Sequence, residues 1–347
     1  MAKKSGLTLG ESEKTLGVGV DLGTMNVVSA RTENDKVTTR RVRDAFLDLE
    51  PDAKKALKLS KVDYYEPDWT DQLIVVGDSA LRMANLFKTE VRRPLAKGLI
   101  AAGELDAQRV LSWIVKNVLG EPQVEKEHCF YSVPAEPIDL PGQDIVYHTE
   151  VFRKIIEEHG YTAHPMNEAM AIIYSQCADV NFSGVAVSYG SGMCNIALGY
   201  ETMMGMSFSI AKGGDWIDAA AAKALGSTAS RVCAIKEKGG FSVAQPPRDN
   251  REAEAIALYI RHMIKYSLEN IAKRFKTERN SFEISEPIPF VVSGGTTKAE
   301  GFMQVFEEEF NAVKKGFPIP ISEIRQAKDP MTSVAEGLLV LAMQEHD

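Results

Sequence analysis

A short run near the start of the chain, GVGVDLGTMNVVSA at residues 17–30, brings a carboxylate, a glycine and polar side chains to one turn. The turn, called here the first loop, consists of Asp21, Gly23, Thr24, Met25 and Asn26. Glycine leaves backbone N–H groups accessible to a polyphosphate, and the threonine hydroxyl adds a donor. A carboxylate beside phosphate oxygens is a typical ligand of Mg²⁺. The first loop therefore predicts a phosphate site with Asp21 as metal ligand.

A similar turn recurs in the middle of the chain, within SGVAVSYGSGMCNIALGYE at residues 183–201. This second loop consists of Ser188, Gly190, Ser191 and Gly192. Ser188 stands where Asp21 stood in the first loop, between an apolar run and a glycine turn. Because similar elements follow both turns in a similar order, we interpret the two stretches as an internal duplication.

A third glycine turn occurs late in the chain. This third loop consists of Gly294, Gly295 and Thr296. Taken singly, each of the three turns is more often an ordinary turn or helix entry than a binding site. Their order and spacing together favour a nucleotide site assembled from two similar halves. Neither the P-loop pattern nor a G-x-G-x-x-G run after the first strand occurs, which excludes the two commonest nucleotide-binding motifs.

The segments that must position these loops alternate between strand and helix patterns. Apolar residues at helical spacing predict helices over residues 106–119, 150–160, 213–225 and 252–275, and apolar runs predict strands at 128–134 and 289–293. This alternation indicates an α/β protein. Its 347 residues allow two domains or one domain of two halves, and we expect the halves to face each other across a cleft.

Composition limits the classes of partner and compartment. A net charge of −8 argues against nucleic acid as a direct partner, because phosphate neutralisation needs a basic surface. The four cysteines are widely spaced, which predicts a reducing, cytoplasmic location without disulfides, and the histidines form no metal-binding pattern. The first fifteen residues are polar and predict neither a signal peptide nor a convincing membrane anchor.

With these motifs in view, the chain resembles the actin-like ATPases, and within them the prokaryotic actin homologues of the MreB type. The resemblance runs over about residues 16–342: VDLGTMN is similar to the first phosphate loop, YGSGMCNIAL to the second, VVSGGTTKAEGF to the adenosine loop, and DPMTSVAEG to the second connecting helix. It implies a duplicated ribonuclease-H-like fold with two domains around a nucleotide cleft, and ATP and Mg²⁺ as cofactors.

The resemblance also implies domain limits. Domain I would cover residues 16–166, with 322–347 returning to it and a small outer subdomain at about 42–97. Domain II would cover residues 167–321, with an outer subdomain at about 213–288. The outer part of domain I is expected to make subunit contacts, and Met203, Met204 and Met206 are expected to pack between subdomains.

Further nucleotide-binding residues follow from the resemblance. They are Glu168 in NEAMAIIYS, Gly213, Gly214 and Asp215 in KGGDWID, and Lys236 and Glu237 in VCAIKEKGG. The family places the last two beside the ribose and base. The alternative for IKEKGG is an exposed helix end capped by Gly239.

The sequence departs from the family pattern in two places. Ser188 stands where the second phosphate loop normally has an aspartate that orders water around the metal, and serine brings no charge. The segment after Pro134 is longer than usual, so three residues compete for the role of orienting the attacking water. These catalytic candidates, beside Asp21, are Gln143, Asp144 and His148, and at least two of them are expected to be solvated loop residues.

Three functions remain open at this stage. The first is a cytoskeletal ATPase that polymerises head to tail with itself and binds cargo or adaptor proteins. The second is a small-molecule kinase of the same superfamily. The third is a non-hydrolysing nucleotide-binding adaptor of a cellular assembly, which Ser188 favours.

Overall fold

Two five-stranded sheets with the same topology form the framework of the protein. This computed structural model describes residues 16–87, 89–101, 103–104, 106–142, 145–277 and 284–345. In the first sheet the strand order is β3-β2-β1-β8-β9, and in the second it is β12-β11-β10-β13-β14. Each sheet has an antiparallel meander of three strands followed by two parallel ones. The predicted duplication of an α/β unit is therefore confirmed.

The strands are β1 (Val18–Leu22), β2 (Asn26–Glu33), β3 (Lys36–Arg43), β4 (Phe46–Leu49), β5 (Leu73–Val76), β6 (Leu95–Ala96), β7 (Leu99–Ile100), β8 (His128–Val133), β9 (Thr162–Asn167), β10 (Gly184–Tyr189), β11 (Cys194–Tyr200), β12 (Met203–Ile210), β13 (Ile288–Ser293) and β14 (Ile321–Gln326). The helices are α1 (Lys54–Leu59), α2 (Asp78–Phe87), α3 (Ala107–Leu119), α4 (Ile145–Glu158), α5 (Glu168–Gln176), α6 (Gly214–Leu225), α7 (Ala229–Lys238), α8 (Arg251–Thr277), α9 (Phe302–Val313) and α10 (Ser333–Gln344).

Each sheet packs its own helices through a separate apolar core. On the first sheet, α3 buries one face made of Val110, Leu111, Ile114, Val115 and Val118. On the second sheet, α8 does the same with residues spaced at three and four positions. This spacing is the pattern of a helix with one buried stripe, and it is the reason these elements could be predicted from sequence.

The two halves are joined where α5 crosses α10. A Cβ atom added at Gly337 would lie 1.8 Å from the carbonyl oxygen of Ala171, so only glycine allows the two helices to approach this closely. The helix α10 also packs on β1, although it lies at the other end of the described chain. These two helices therefore connect the first sheet to the second beneath the loops that follow β1 and β10.

The methionine prediction is wrong for two of its three residues. Met203 and Met204 lie at the tip of the hairpin between β11 and β12, where they are 66% and 53% exposed, whereas Met206 is buried. A hairpin tip projects beyond the sheet, so its side chains have no subdomain to pack against. No helix in the described part of the chain is long and apolar enough to cross a membrane.

Candidate functional site

The first loop joins β1 to β2 and presents Asp21 next to a serine from the neighbouring strand. The Ser132 hydroxyl, on β8, donates to Asp21 Oδ1 at 2.9 Å, and the backbone N–H of Leu22 donates to Ser132 Oγ at 2.8 Å. Burial raises the pKa of Asp21, and the serine hydrogen bond opposes that shift. A cation beside Asp21 would favour the ionised form and so oppose the effect of burial.

Glu168 is the second buried carboxyl group of the site. It is the first residue of α5, and Asn195 Nδ2, on β11, donates to its Oε2 at 2.8 Å. The Ser188 side chain, on β10, lies near the same carboxyl group and opposes the rise of its pKa. Burial raises the pKa of Glu168 well above its usual range, and the nearby charge of Asp21 raises it further. The two carboxyl groups therefore interact across the boundary between the two halves.

The sequence had indicated Asp21 and Glu168 separately but not their partners. Ser132 and Asn195 were missed, because a serine inside an apolar strand and an asparagine in the next strand carry no motif. The available signal was an isolated polar residue within each otherwise apolar run, Ser132 in CFYSV and Asn195 in CNIAL, where both neighbours are apolar. Asn195 also accepts the backbone N–H of Ala135 through its Oδ1 at 3.2 Å, so its amide orientation is fixed on both sides.

The first and second loops lie in direct contact. A Cβ atom added at Gly192 would come within 2.4 Å of Thr24 Oγ1 and 2.2 Å of the backbone nitrogen of Gly98. That Gly98 N–H, in the turn between β6 and β7, donates to Thr24 Oγ1 at 3.0 Å. The structure thus brings Thr24 and Gly192, one from each half, to a shared point.

The third loop and the KGGDWID segment pack against the second loop. Thr296 Oγ1 donates to the carbonyl oxygen of Gly190 at 3.2 Å, and the same oxygen accepts the N–H of Gly214 at 3.0 Å. The Asp215 N–H donates to the carbonyl oxygen of Ser191 at 2.9 Å. The remaining predicted glycines lie in the same cluster, as judged from the atoms a Cβ would meet: Gly23 beside Asn26, Gly213 beside Ser191, Gly294 beside Tyr189, and Gly295 beside Met331.

Lys236 and Glu237 lie at the end of α7, which Gly239 caps, as in the alternative interpretation of IKEKGG. Lys236 nevertheless reaches the cluster, because its Nζ pairs with Asp218 at 2.7 Å and donates to the carbonyl oxygen of Gly214 at 2.9 Å. Glu237 instead pairs with Arg43, at the end of β3, at 2.7 Å. Arg43 also pairs with Asn26 in the β2–β3 ladder, so this ion pair spans the two halves.

The backbone of Met25 completes the first loop, because its carbonyl oxygen accepts the N–H of Asp44 at 3.0 Å.

Of the three predicted water-orienting residues, Gln143 and Asp144 lie outside the described residues. His148 lies within α4, is 1% exposed and packs edge to face on Phe152. Burial lowers its pKa to about 4, so the ring is neutral at physiological pH.

His148 has no hydrogen-bond partner at either ring nitrogen among the described residues. Its role as a catalytic candidate stays a prediction. Among all the residues that the structure describes, no cluster of three or more histidine, cysteine or acidic residues could hold a metal by itself.

Comparison with known proteins supports the fold. The chain aligns over 94% of its length with 98% of the subunit of a MamK double helical filament, at 18% identity and a TM-score of 0.66. The structure of MreB5 of Spiroplasma citri bound to ADP is also similar: the alignment covers 95% of the present chain and 98% of the MreB5 chain, at 17% identity and a TM-score of 0.62. For a non-polymerising MamK mutant bound to AMPPNP, the alignment covers 94% of the present chain and 98% of the MamK chain, at 20% identity and a TM-score of 0.54.

No curated protein matches the sequence. The model of the volactin family matches residues 16–342, nearly the whole chain. The two sheets of equal topology and the paired loops agree with the actin-like relationship predicted from the motifs. The chain has the actin-like fold and belongs to the volactin family.

Proposed function

We propose that the chain binds ATP and Mg²⁺ between its halves and polymerises head to tail into a cytoskeletal filament, with hydrolysis coupled to polymerisation. One observation carries this proposal: the first and second loops touch at Thr24 and Gly192, and Asp21 of the first loop interacts with the buried carboxyl group of Glu168. Glycine turns from two sides can enclose a polyphosphate tail, and two carboxyl groups beside it can serve a cation and a water molecule.

The residues present fit a magnesium ion. Burial raises the pKa of Asp21 and of Glu168, which favours the neutral forms of both carboxyl groups. A nearby positive charge would stabilise their ionised forms. Mg²⁺ needs one or two carboxylates together with phosphate oxygens and water, so Asp21 would hold it without a dedicated cluster. When bound, the ion neutralises developing charge on the phosphates.

Glu168 is our candidate for the residue that orients the attacking water. Asn195 donates to its carboxyl group, which restricts its orientation while leaving lone pairs free to accept a hydrogen bond from water. A carboxylate held in this way can align a water for in-line attack and accept its proton. Gln143, Asp144 and His148 stay as competing candidates for the same role.

Filament formation is supported by the fold and by relatives that form filaments, such as MamK. A head-to-tail contact joins different surfaces of successive subunits, so it repeats without closing and gives a polymer. Closure of the two halves around nucleotide would then set the geometry of that contact.

Light scattering and phosphate release, followed in one sample after addition of ATP and Mg²⁺, test the proposal. We expect scattering to rise first and phosphate to follow, and AMPPNP to give scattering without phosphate. A protein that binds nucleotide but shows neither signal over a range of protein and salt concentrations would overturn the filament proposal.

The adaptor is the second candidate, and Ser188 is the observation that favours it. Its side chain lies near Glu168, where an aspartate would have added a second charge for the water around the metal. The adaptor would bind ATP tightly and release no phosphate. Cargo, adaptor partners and cytoplasmic location are part of the proposal and follow from the filament role.

A further inference from the structure

A buried serine beside the first loop binds one oxygen of the carboxylate that the loop presents. Ser132, on β8, is 3% exposed, and its hydroxyl contacts two residues of the neighbouring strand β1. It accepts the backbone N–H of Leu22 at 2.8 Å and donates to Asp21 Oδ1 at 2.9 Å. A hydroxyl has one proton, and a backbone N–H can only donate, so the proton of Ser132 is directed to Asp21.

The two oxygens of the Asp21 carboxylate therefore differ. Oδ1 is bonded to Ser132, whereas Oδ2 lies on the side of the first loop, 3.9 Å from the position that a Cβ atom on Gly23 would take. Within the described part of the chain, Ser132 is the side chain that donates a hydrogen bond to Asp21. The last torsion of an aspartate is soft, so a hydrogen bond to one oxygen limits the rotation of the carboxylate. Oδ2 is thereby kept towards the glycine turn.

The second half has an equivalent serine with a different partner. The register of β1 with β8 brings Asp21 beside Ser132. In the second sheet, β10 pairs with β13 so that Ser188, which takes the place of Asp21, lies beside Ser293. Ser293 is buried, and its hydroxyl pairs with that of Ser333, on α10, at 2.7 Å. The same position thus serves a carboxylate in the first half and a helix in the second.

We propose that Ser132 is a positioning residue of the metal site, which holds Asp21 so that Oδ2 is presented to the Mg²⁺ ion bound with nucleotide. Ser132 acts through Asp21 and does not contact the metal. Hydrogen-bond partners of metal ligands orient those ligands, and their loss typically lowers metal affinity about 10–100-fold. The inference rests on the proposed function, since it concerns the metal of the same nucleotide site.

The test measures how much the metal strengthens nucleotide binding. Titration calorimetry with AMPPNP on the full chain, once with Mg²⁺ and once with a chelator, gives the ratio of the two affinities. In Ser132→Ala this ratio should fall about tenfold or more, because Asp21 is no longer held. Ser132→Thr keeps the hydroxyl and should restore most of the ratio. A loss of the ratio that Ser132→Thr shares in full would overturn the role of the hydroxyl.

Thermal unfolding with chelator separates this role from a structural one. A serine that only tied β1 to β8 through Leu22 would lower stability in Ser132→Ala and leave the metal ratio unchanged. If Ser132→Ala does not fold, Ser132→Cys is measured in its place, since a thiol is close in size and only a weak donor. The expected fall in the ratio is the same.

The matched control is Ser293→Ala, which removes the equivalent hydroxyl in the second half and leaves Asp21 with its partner. It should change the affinity for AMPPNP by the same factor with Mg²⁺ and with chelator. An unchanged ratio in Ser132→Ala or Ser132→Cys would overturn the role of Ser132 and leave the nucleotide site intact. Equal affinities of the wild type with and without Mg²⁺ would overturn the metal site and this role together. A wild type that does not bind AMPPNP would overturn the proposed function as well.

Discussion

Gly192 and Thr24, from opposite halves of the molecule, lie so close that a methyl group on Gly192 would come within 2.4 Å of the threonine hydroxyl oxygen. This approach makes the contact between the two loops dependent on a residue without a side chain. It also means that a small change at one position can separate the loops while leaving each half folded, because the cores of the two sheets lie elsewhere.

Gly192→Ala should therefore weaken nucleotide binding more than it weakens the fold. The added methyl would also meet the backbone of Lys97 and Gly98, which cannot move as a flexible side chain could. Overpacking of this kind costs about 1–3 kcal/mol, and opening of the loops relieves it. Calorimetric titration with AMPPNP and a thermal unfolding curve check the prediction. Gly103→Ala, where the methyl meets nothing within 4 Å, is the control and should match the wild type.

Glu168→Gln should abolish most phosphate release and leave polymerisation with ATP in place. Glutamine keeps the shape and can still accept the amide of Asn195, but it cannot take a proton from water. Loss of a positioned base reduces a rate by about 10²-fold or more. Phosphate release and scattering in the same sample measure both effects. If Glu168→Gln released phosphate at the wild-type rate, the water-orienting role would pass to Gln143, Asp144 or His148.

Much of this site follows from short-range patterns, and the rest depends on contacts that no short pattern records. The first loop could be predicted because Asp21, Gly23 and Thr24 are adjacent in the chain. The partners of Glu168 come from β10 and β11, and Arg93, which forms an ion pair with Asp215, comes from a segment without a motif. Their roles arise only when the halves meet.

The strands that sequence reasoning missed show the same limit in the fold. Three of them, β3, β9 and β14, lie at the edges of the two five-stranded sheets. An edge strand has one neighbour and an exposed side, so it tolerates polar side chains and proline and loses the apolar alternation of a central strand. The run KVTTRRVR of β3 and Pro165 in β9 are examples.

Ser188→Asp tests how the departure from the family pattern is tolerated. Ser188 is 2% exposed and lies near Glu168, so an aspartate there would place a third carboxylate beside Glu168 and Asp21. In the absence of a divalent cation, we expect a loss of stability on the order of a few kcal/mol, as for an uncompensated buried charge.

Mg²⁺ with AMPPNP should restore most of that stability, because the added charge then has a counter-ion. Thermal unfolding with chelator and with Mg²⁺–AMPPNP measures the difference. Ser188→Asn is the matched control, since it has a similar volume without the charge, and its response to Mg²⁺ should equal that of the wild type. An equal response in Ser188→Asp would argue against a cation near the second loop.

The buried carboxyl group of Asp44 should make the stability of the ligand-free protein depend on pH. Burial raises its pKa to about 8, and Asp215 adds to the shift, whereas Arg93 and the Leu95 N–H oppose it. Between about pH 4 and pH 8 the folded protein keeps a proton that the unfolded chain has released, so stability falls as pH rises through this window and levels off above it.

Asp44→Asn removes that titration while keeping an acceptor for Leu95. The free energy of unfolding of the variant relative to the wild type should therefore increase from pH 5 to pH 9, with a slope approaching about 1.4 kcal/mol per pH unit inside the window. Urea unfolding at a series of pH values measures it. Asp63→Asn, at an exposed position, is the control and should follow the wild-type curve at every pH. Parallel curves for wild type and Asp44→Asn would mean that the pKa of Asp44 is the same in the folded and the unfolded protein, which would contradict the prediction.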